Sequence, residues 1–257
     1  MAPHPPAFWR DRIKASAVHL GISLFVASLA GALVFGVWYP ALYREISGGR
    51  ELFLLLVSVD VVLGPLVTLA VFNRAKPWPV LRRDLVVVAA LQLAALGYGL
   101  WTVSLARPVH IVFESDRLSV VHAVDIDPAL LDKTPPGIVA LPMTGPTRLS
   151  LRPFKTSQES MEATLAALQG LPLATRPDLW QPYANAIPDI LKAAKPVQEL
   201  KVRFKDQSDA IDELLRTKGR APENMLYLPL IGRKAFWTAI LDPVTADIVA
   251  TLPLDPF

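Results

Sequence analysis

The sequence has 257 residues, of which 52% are hydrophobic, and a formal net charge of +3. It contains no cysteine, which excludes a disulfide framework, a thiolate nucleophile and a cysteine-ligated metal site. Residues 1–105 carry nine Lys/Arg against five Asp/Glu, whereas residues 106–257 carry 17 against 18. Because the basic surplus lies beside the most apolar part of the chain, it indicates membrane topology rather than a nucleic-acid partner.

Three apolar runs are predicted to cross a bilayer as helices, at about residues 17–38, 52–72 and 85–105, after a cytoplasmic tail of residues 1–16. Each run comes close to the roughly 20 residues that a bilayer crossing needs at about 1.5 Å per residue. The first run is too long for the apolar region of a secretory signal and has no clear small-x-small cleavage site. We therefore expect it to remain as an anchor.

Basic residues near the helix ends predict the orientation. The tail and the loop at residues 73–84 together hold seven Lys/Arg, whereas the loop at residues 40–50 holds two. Basic loops stay in the cytoplasm, so the N-terminus is predicted to be cytoplasmic. With three helices, residues 106–257 then lie outside, as a periplasmic domain if the source is Gram-negative. The expected partners begin with the lipid bilayer, and the expected location is a bacterial inner membrane.

Asp60 lies near the middle of the second apolar run. An ionised side chain at that depth costs on the order of 3 kcal/mol, so Asp60 is expected to face protein or water, or to be protonated. A hydrogen bond to Gln92 or Ser28, or to a polar group on a partner helix, fits equally well. Gly64 and Pro65 follow in the same run, and the proline is expected to kink the helix.

Two rows of small residues run along the first helix with a spacing of four. One row holds Ala27 and Gly31, and the other holds Ser28, Ala32 and Gly36. Such rows allow another helix to approach closely. Packing among the three helices of this chain is the favoured interpretation, and docking of a foreign helix is the alternative.

The part after residue 105 predicts an α+β domain. A β-hairpin is expected at residues 109–113 and 118–124, followed by an irregular loop at 125–147 that contains five prolines. Helices are predicted at 157–169, capped by Thr156 or Ser157, and at 206–218, with a helical pattern at 177–194 broken by two prolines. Three closing strands are predicted at residues 225–230, 235–241 and 247–252.

No pattern in the sequence indicates catalysis. The histidines are His4, His19, His110 and His122, without the spacing of a metal motif, and the last two are interpreted as a surface pair. A nucleophile elbow and a phosphate-binding loop are missing from the sequence, and a single membrane aspartate does not make the pair that an aspartyl protease needs. Asp125 and Asp127 are interpreted as loop caps or solvent-facing charges rather than cation ligands. We expect no enzyme activity, no metal and no cofactor.

Several segments resemble the TfpX/TfpZ family of type IV pilin accessory proteins. They are FGVWYP, VDVVLGPLVTL, ARPVHIVFESDR and the closing LPLIGRKAFWTAILDPVTADIV. The resemblance covers most of residues 12–127 and implies an inner-membrane protein that supports pilin stability or pilus assembly. It implies no catalytic residues.

The same resemblance suggests a mechanism. A type IV pilin waits in the membrane as one apolar helix whose processed N-terminus carries an amine and a nearby glutamate, both costly in lipid. The three helices are expected to hold that helix, with Asp60 pairing the amine or donating to the glutamate, and Gln92 binding the glutamate. The periplasmic domain is expected to contact the pilin head. The expected partners are the major pilin and other pilus assembly components; a sensor or regulator of the pilus machine without direct pilin binding is the alternative.

Overall fold

The computed structural model describes residues 6–257, with side chains from Phe8 onward. His4 and the first residues of the predicted tail lie outside the described part. The chain forms two compact units. One consists of Met1–Pro40 and Gly49–Leu105, and the other of Ala41–Gly48 and Ala106–Phe257.

The first unit contains three long helices. Helix α1 is α-helical over Pro6–Leu33 and ends in a π turn at Val34–Trp38. A short helix of the second unit, α2 (Tyr43–Ile46), comes next in the chain. Helix α3 consists of Gly49–Ser58, a π turn at Val59–Leu63 and Gly64–Val71, and helix α4 is Trp78–Leu105.

The spans Phe8–Trp38, Gly49–Val71 and Trp78–Leu105 are long and apolar enough to cross a membrane, with mean hydropathies of 2.2, 2.4 and 1.8. The prediction of three membrane helices followed by an α+β domain is confirmed. Helix α1 also continues N-terminally of residue 17, because no helix breaker occurs between Pro6 and the apolar run, and proline is favoured in the first turn.

The interruption expected at Gly64 and Pro65 is a π turn. Pro65 has no N–H to donate within the helix, and its ring crowds the preceding turn. The wider turn at Val59–Leu63, directly before Gly64, accommodates that mismatch without ending the helix.

Helix α3 contacts both of its neighbours closely through glycines. A Cβ built on Gly31 of α1 would lie 3.1 Å from Cζ of Phe53 in α3, and one on Gly99 of α4 would lie 2.6 Å from Cδ1 of Leu56. The Tyr39 hydroxyl donates to the Val103 carbonyl at 3.1 Å. The row of Ala27 and Gly31 is therefore used for packing within the bundle.

The second unit is built on an eight-stranded mixed sheet in the order β4-β3-β1-β2-β6-β7-β8, with β5 beside β6. Pairs β1–β3 and β2–β6 are parallel and the others antiparallel. The strands are β1 Pro108–Glu114, β2 Arg117–His122, β3 Thr147–Leu151, β4 Trp180–Pro182, β5 Lys195–Pro196, β6 Leu226–Ile231, β7 Phe236–Leu241 and β8 Ile248–Leu252.

Four helices pack around this sheet: α5 Ser157–Leu168, α6 Ile187–Ala193, α7 Val197–Arg203 and α8 Ser208–Thr217. Thr156 caps α5, as predicted, by accepting a hydrogen bond from the Glu159 N–H at 3.0 Å. Helices α7 and α8 cover the sheet through Leu200, Ile211 and Leu215, which pack with Tyr227 and Ile240. The sequence-based expectations miss β3, β4, β5 and α7, which are short or lie among prolines.

The segment 41–48 belongs to this unit, although the sequence predicts only a short loop there. Ile46 is fully buried, and its carbonyl accepts a hydrogen bond from the Lys234 N–H at 3.0 Å. Gly232 makes room for it, since a Cβ at Gly232 would lie 2.2 Å from Cγ1 of Ile46. This hydrogen bond between Lys234 and Ile46 ties the segment to the turn after β6.

The interpretation of His110 and His122 as a surface pair is wrong. Both are buried, and the β1–β2 register sets His110 opposite Val121 and His122 opposite Pro108. His110 Nε2 donates to the Ala140 carbonyl at 2.9 Å and its Nδ1 accepts from the Thr147 hydroxyl at 2.7 Å. Burial lowers the pKa of His110 to about 4 against the opposing effect of the Ala140 carbonyl, so the ring is neutral.

This histidine makes the stability of the second unit depend on pH. His110 becomes protonated near pH 6.5 in the unfolded chain and only near pH 4 in the folded state. Its contribution to the free energy of unfolding is therefore fully present above pH 6.5 and is lost as the pH falls from 6.5 to 4. The loss approaches about 3 kcal/mol. Urea unfolding followed by tryptophan fluorescence between pH 8 and 4.5 measures it, with His110→Gln as the comparison. An equal pH slope in both proteins contradicts the assignment.

Candidate functional site

A buried polar line runs along one face of α3. Asp60, Gly64 and Thr68 are spaced by four residues, and all three are buried, with Asp60 7% and Thr68 3% exposed. Residues four apart on a helix share a face. Asp60 therefore lies inside the bundle and does not face lipid, as its desolvation cost requires.

Helix α1 supplies polar partners to this line. His19 Nδ1 and Thr68 Oγ1 form a short hydrogen bond of 2.5 Å. One turn earlier in α1, Ser16 Oγ donates to the Pro65 carbonyl at 2.9 Å. In this way, α1 satisfies both a side chain and a backbone carbonyl of α3 at membrane depth, where water is not available to do so.

Helix α4 meets the same line through Gln92. The Gln92 amide donates to the backbone carbonyl of Asp60 at 3.4 Å. A Cβ on Gly64 would lie 2.0 Å from Gln92 Nε2 and 3.2 Å from His19 Nε2. Gly64 is thus the point where polar groups of α1 and α4 come together over α3, and any side chain there would displace them.

The environment of the Asp60 carboxylate differs from the one expected. Gln92 binds the backbone of Asp60 and not its side chain, and Ser28 Oγ donates to the Leu24 carbonyl of its own helix instead of reaching Asp60. The hydrogen bond expected between Ser28 and Asp60 is therefore wrong, because Ser28 lies on the exposed side of α1. Oδ1 of Asp60 is buried without a hydrogen-bond partner among the described residues.

A groove of about 700 Å³ opens between α1 and α4 over the second half of α3. Its walls are apolar, with Val18 and Ile22 from α1 and Leu85 and Val88 from α4. His19 and Thr68 also line it, and Asp11, Lys14 and Arg74 line it as charged groups, with Arg74 and Asp11 3.4 Å apart. This is an apolar groove with a polar floor and charges at one end.

A smaller cavity of about 240 Å³ lies between α3 and α4 and is lined by Gly64 and Gln92 among apolar residues. Asp60 does not line either cavity; it lies two helical turns from Thr68 on the same face, roughly 12 Å along the axis. Of the expected site residues, Gln92 and Gly64 thus lie near accessible space, and Asp60 and Pro65 support them from inside. His19 and Thr68 were not expected as site residues. The only indication of them in the sequence is that each is a polar residue near an end of an apolar run.

The two rows of small residues have different environments. Ala27 and Gly31 are half-buried against the bundle, whereas Ser28, Ala32 and Gly36 are exposed. Nothing lies within 4 Å of a Cβ built on Gly36. The second row is therefore an open, smooth surface on α1 next to apolar side chains.

The polar groups of the second unit have structural partners in most cases. Asp127 accepts from the Ala129 N–H at 2.9 Å, and Asp125 accepts from the His122 N–H at 3.2 Å and pairs with Arg233 at 2.7 Å. Both aspartates cap turns, as predicted. Within residues 6–257, no cluster of three or more His, Asp or Glu is arranged to hold a metal ion.

Comparisons with known proteins indicate the family of this chain. Residues 7–48 match the model of the fimbrial assembly protein FimB. The chain is 36% identical over 250 residues to the fimbrial assembly protein of serogroup I from Dichelobacter nodosus, and 34% identical over 250 residues to that of serogroup E1, covering 95% of each chain in both cases. A third relative, of serogroups C1 and C2, is 40% identical over 122 residues, which are 48% of this chain and 91% of that protein.

No solved structure matches the chain. The narrower assignment to the TfpX/TfpZ family stays a prediction from resemblance, whereas two relatives above 30% identity cover nearly the whole chain. The chain belongs to the fimbrial assembly protein family.

Proposed function

We propose that this chain is an inner-membrane accessory protein of type IV pilus assembly that holds the membrane helix of a pilin in the groove between α1 and α4. The observation that carries the proposal is the groove itself. Its walls are apolar, and its floor presents His19 and Thr68. An apolar helix with polar groups near one end is the ligand that matches both features.

The buried polar residues along α3 add to the match between the groove and a pilin helix. Oδ1 of Asp60 is buried without a hydrogen-bond partner among the described residues, but Asp60 does not line the groove, so an amine of the pilin helix has to displace side chains of the bundle to reach it. Gln92 is available from the smaller cavity to bind a carboxyl group of the pilin. These roles remain those that the sequence suggests, with His19 and Thr68 added as the polar residues nearest the incoming helix.

The proposed topology has a cytoplasmic N-terminus and a periplasmic second unit. The excess of basic residues in the tail and in the loop at 73–84 supports it. The second unit is then proposed to meet the pilin head in the periplasm.

Blocking the groove tests the proposal. Val18 and Ile22 line it and are 65% and 58% exposed, so Val18→Trp and Ile22→Trp fill the groove without disturbing the bundle. We expect pilin recovered with the tagged protein from detergent extracts to fall at least tenfold, together with pilus yield. Leu93→Trp on α4 is the control, since Leu93 is 67% exposed and does not line the groove. Unchanged pilin recovery in the groove variants, at equal protein levels, contradicts helix binding there and favours a regulator that does not contact pilin.

The exposed small-residue row gives a second test. Gly36→Leu adds a side chain where no atom lies within 4 Å, so the protein itself keeps its fold. A partner helix packed on this row loses its close approach, and we expect at least a fivefold drop in pilin recovery. Gly97→Leu is matched, because Gly97 is equally open but lies on α4. If the two variants recover equal amounts of pilin, the row is not part of the binding surface.

A further inference from the structure

A cavity of about 380 Å³ lies on one face of the sheet in the second unit, and the proposed function does not use it. Residues that pair across neighbouring strands point to the same face of a sheet. Followed from strand to strand, the pairing sets Ile111, Arg148, Leu230 and Thr251 on one face, and all four line the cavity. Helices α7 and α8 pack on the opposite face, against Tyr227.

The sheet curves around this cavity. Strands β3 and β8 are separated by β1, β2, β6 and β7, which in a flat sheet is a distance of roughly 24 Å at about 4.8 Å per strand. Nevertheless, Arg148 of β3 donates a hydrogen bond to Asp247, directly before β8. The Tyr183 hydroxyl, directly after β4, donates to the Ala246 carbonyl at 2.8 Å. These two bonds join distant parts of the sheet, so the cavity lies in its concave face.

Tyr43 brings an unsatisfied hydroxyl to the cavity. It lies in segment 41–48, is 7% exposed and lines the cavity. Its hydroxyl makes no hydrogen bond to another residue that the structure describes, although buried polar groups in folded proteins nearly always have a partner. Burial raises the pKa of Tyr43 against the opposing effect of Arg148, so the hydroxyl keeps its proton. The hydroxyl is therefore a donor that can bind an acceptor on a ligand.

Arg148 and Asp247 supply one charge of each sign. Arg148 binds Asp247 through Nη1, while its Nε and Nη2 form no hydrogen bond within residues 8–257. The hydrogen bond from Arg148 lowers the pKa of Asp247, so the carboxylate is ionised. The two side chains are 42% and 55% exposed, which leaves room for a second partner on each. Because the two charges cancel, a ligand with both charges and no net charge fits better than a simple anion or cation.

The remaining walls of the cavity are mainly apolar. They include Leu42, Ile111, Leu230 and Ile248. A volume of about 380 Å³ with apolar walls and a few polar groups is typical of a small-molecule site. An α-amino acid carries a carboxylate and an ammonium group on one carbon atom, which suits a guanidinium and a carboxylate in direct contact. A guanidinium binds a carboxylate through two parallel N–H donors.

We propose that this cavity binds a free α-amino acid with an apolar side chain. The carboxylate of the ligand accepts hydrogen bonds from Arg148 and from the Tyr43 hydroxyl, and its ammonium group donates to Asp247. The side chain of the ligand lies against Leu42 and Ile248. This binding goes beyond the proposed function and does not depend on pilin in the groove between α1 and α4.

The test uses the purified full-length protein in detergent and equilibrium dialysis with radiolabelled L-leucine and L-phenylalanine. We expect at least one of the two amino acids to bind. Its N-acetyl derivative lacks the ammonium charge and its amide lacks the carboxylate. Each derivative is expected to compete at least tenfold more weakly than the unlabelled amino acid, because each loses one of the two charged contacts.

Two variants locate the binding. Tyr43→Phe removes only a hydroxyl that is unpaired among the described residues, so the protein keeps its fold, and the affinity is expected to fall at least fivefold. Arg148→Gln is expected to weaken binding at least tenfold, and it changes an exposed ion pair that contributes little to stability. Tyr227→Phe is the matched control, since Tyr227 is 5% exposed and does not line the cavity.

Three results overturn the proposal. The first is that neither amino acid binds. The second is equal competition by the N-acetyl derivative, which makes the ligand a simple carboxylate such as the C-terminus of a protein. The third is equal affinity of Tyr43→Phe and Tyr227→Phe. Because the dialysis contains no pilin, Val18→Trp and Ile22→Trp are expected to leave the result unchanged, and the two proposals fail separately.

Discussion

Polar side chains between apolar helices have to find partners within the protein, because the hydrocarbon core offers them no water. In this chain that constraint acts on one face of α3, where Asp60, Gly64 and Thr68 are buried in line. Hydrogen bonds to α3 come from His19 and Ser16 of α1 and from Gln92 of α4. The arrangement orients both outer helices on the central one, and the groove between α1 and α4 follows from that orientation. Among the described residues, Oδ1 of Asp60 is buried on this face without a hydrogen-bond partner.

Much of this was accessible from the sequence, for physical reasons that differ between elements. Long apolar runs predict spanning helices because length and hydropathy alone decide whether a segment can cross a bilayer. The β1–β2 hairpin and α8 carry strong local patterns. Strand β5 and helix α7 do not, since β5 has two residues and α7 follows directly after Pro196. Their existence depends on pairing with β6 and on burial of Leu200, which are tertiary effects.

The site was predicted less completely than the fold. A lone aspartate in an apolar run is easily recognised in the sequence, but its partners are not. They depend on the register between the helices, which neither helix determines alone. Ser28 was placed near Asp60 by depth, yet it lies on the exposed side of α1, while His19 reaches α3. His122 shows the same limit in the second unit. Residue type and strand position suggested a surface, but His122 is buried beside the turn at Asp125.

The central claim is that the groove between α1 and α4 holds the membrane helix of a pilin. Because the chain contains no cysteine, a single cysteine introduced at Val18 can be paired in cells with cysteines placed one by one along the pilin helix. The account predicts disulfide-linked heterodimers at pilin positions that recur every three to four residues, with little product when the cysteine is at Leu93 of α4 instead. Absence of heterodimers at Val18, or equal yields from both positions without a helical period, would contradict it.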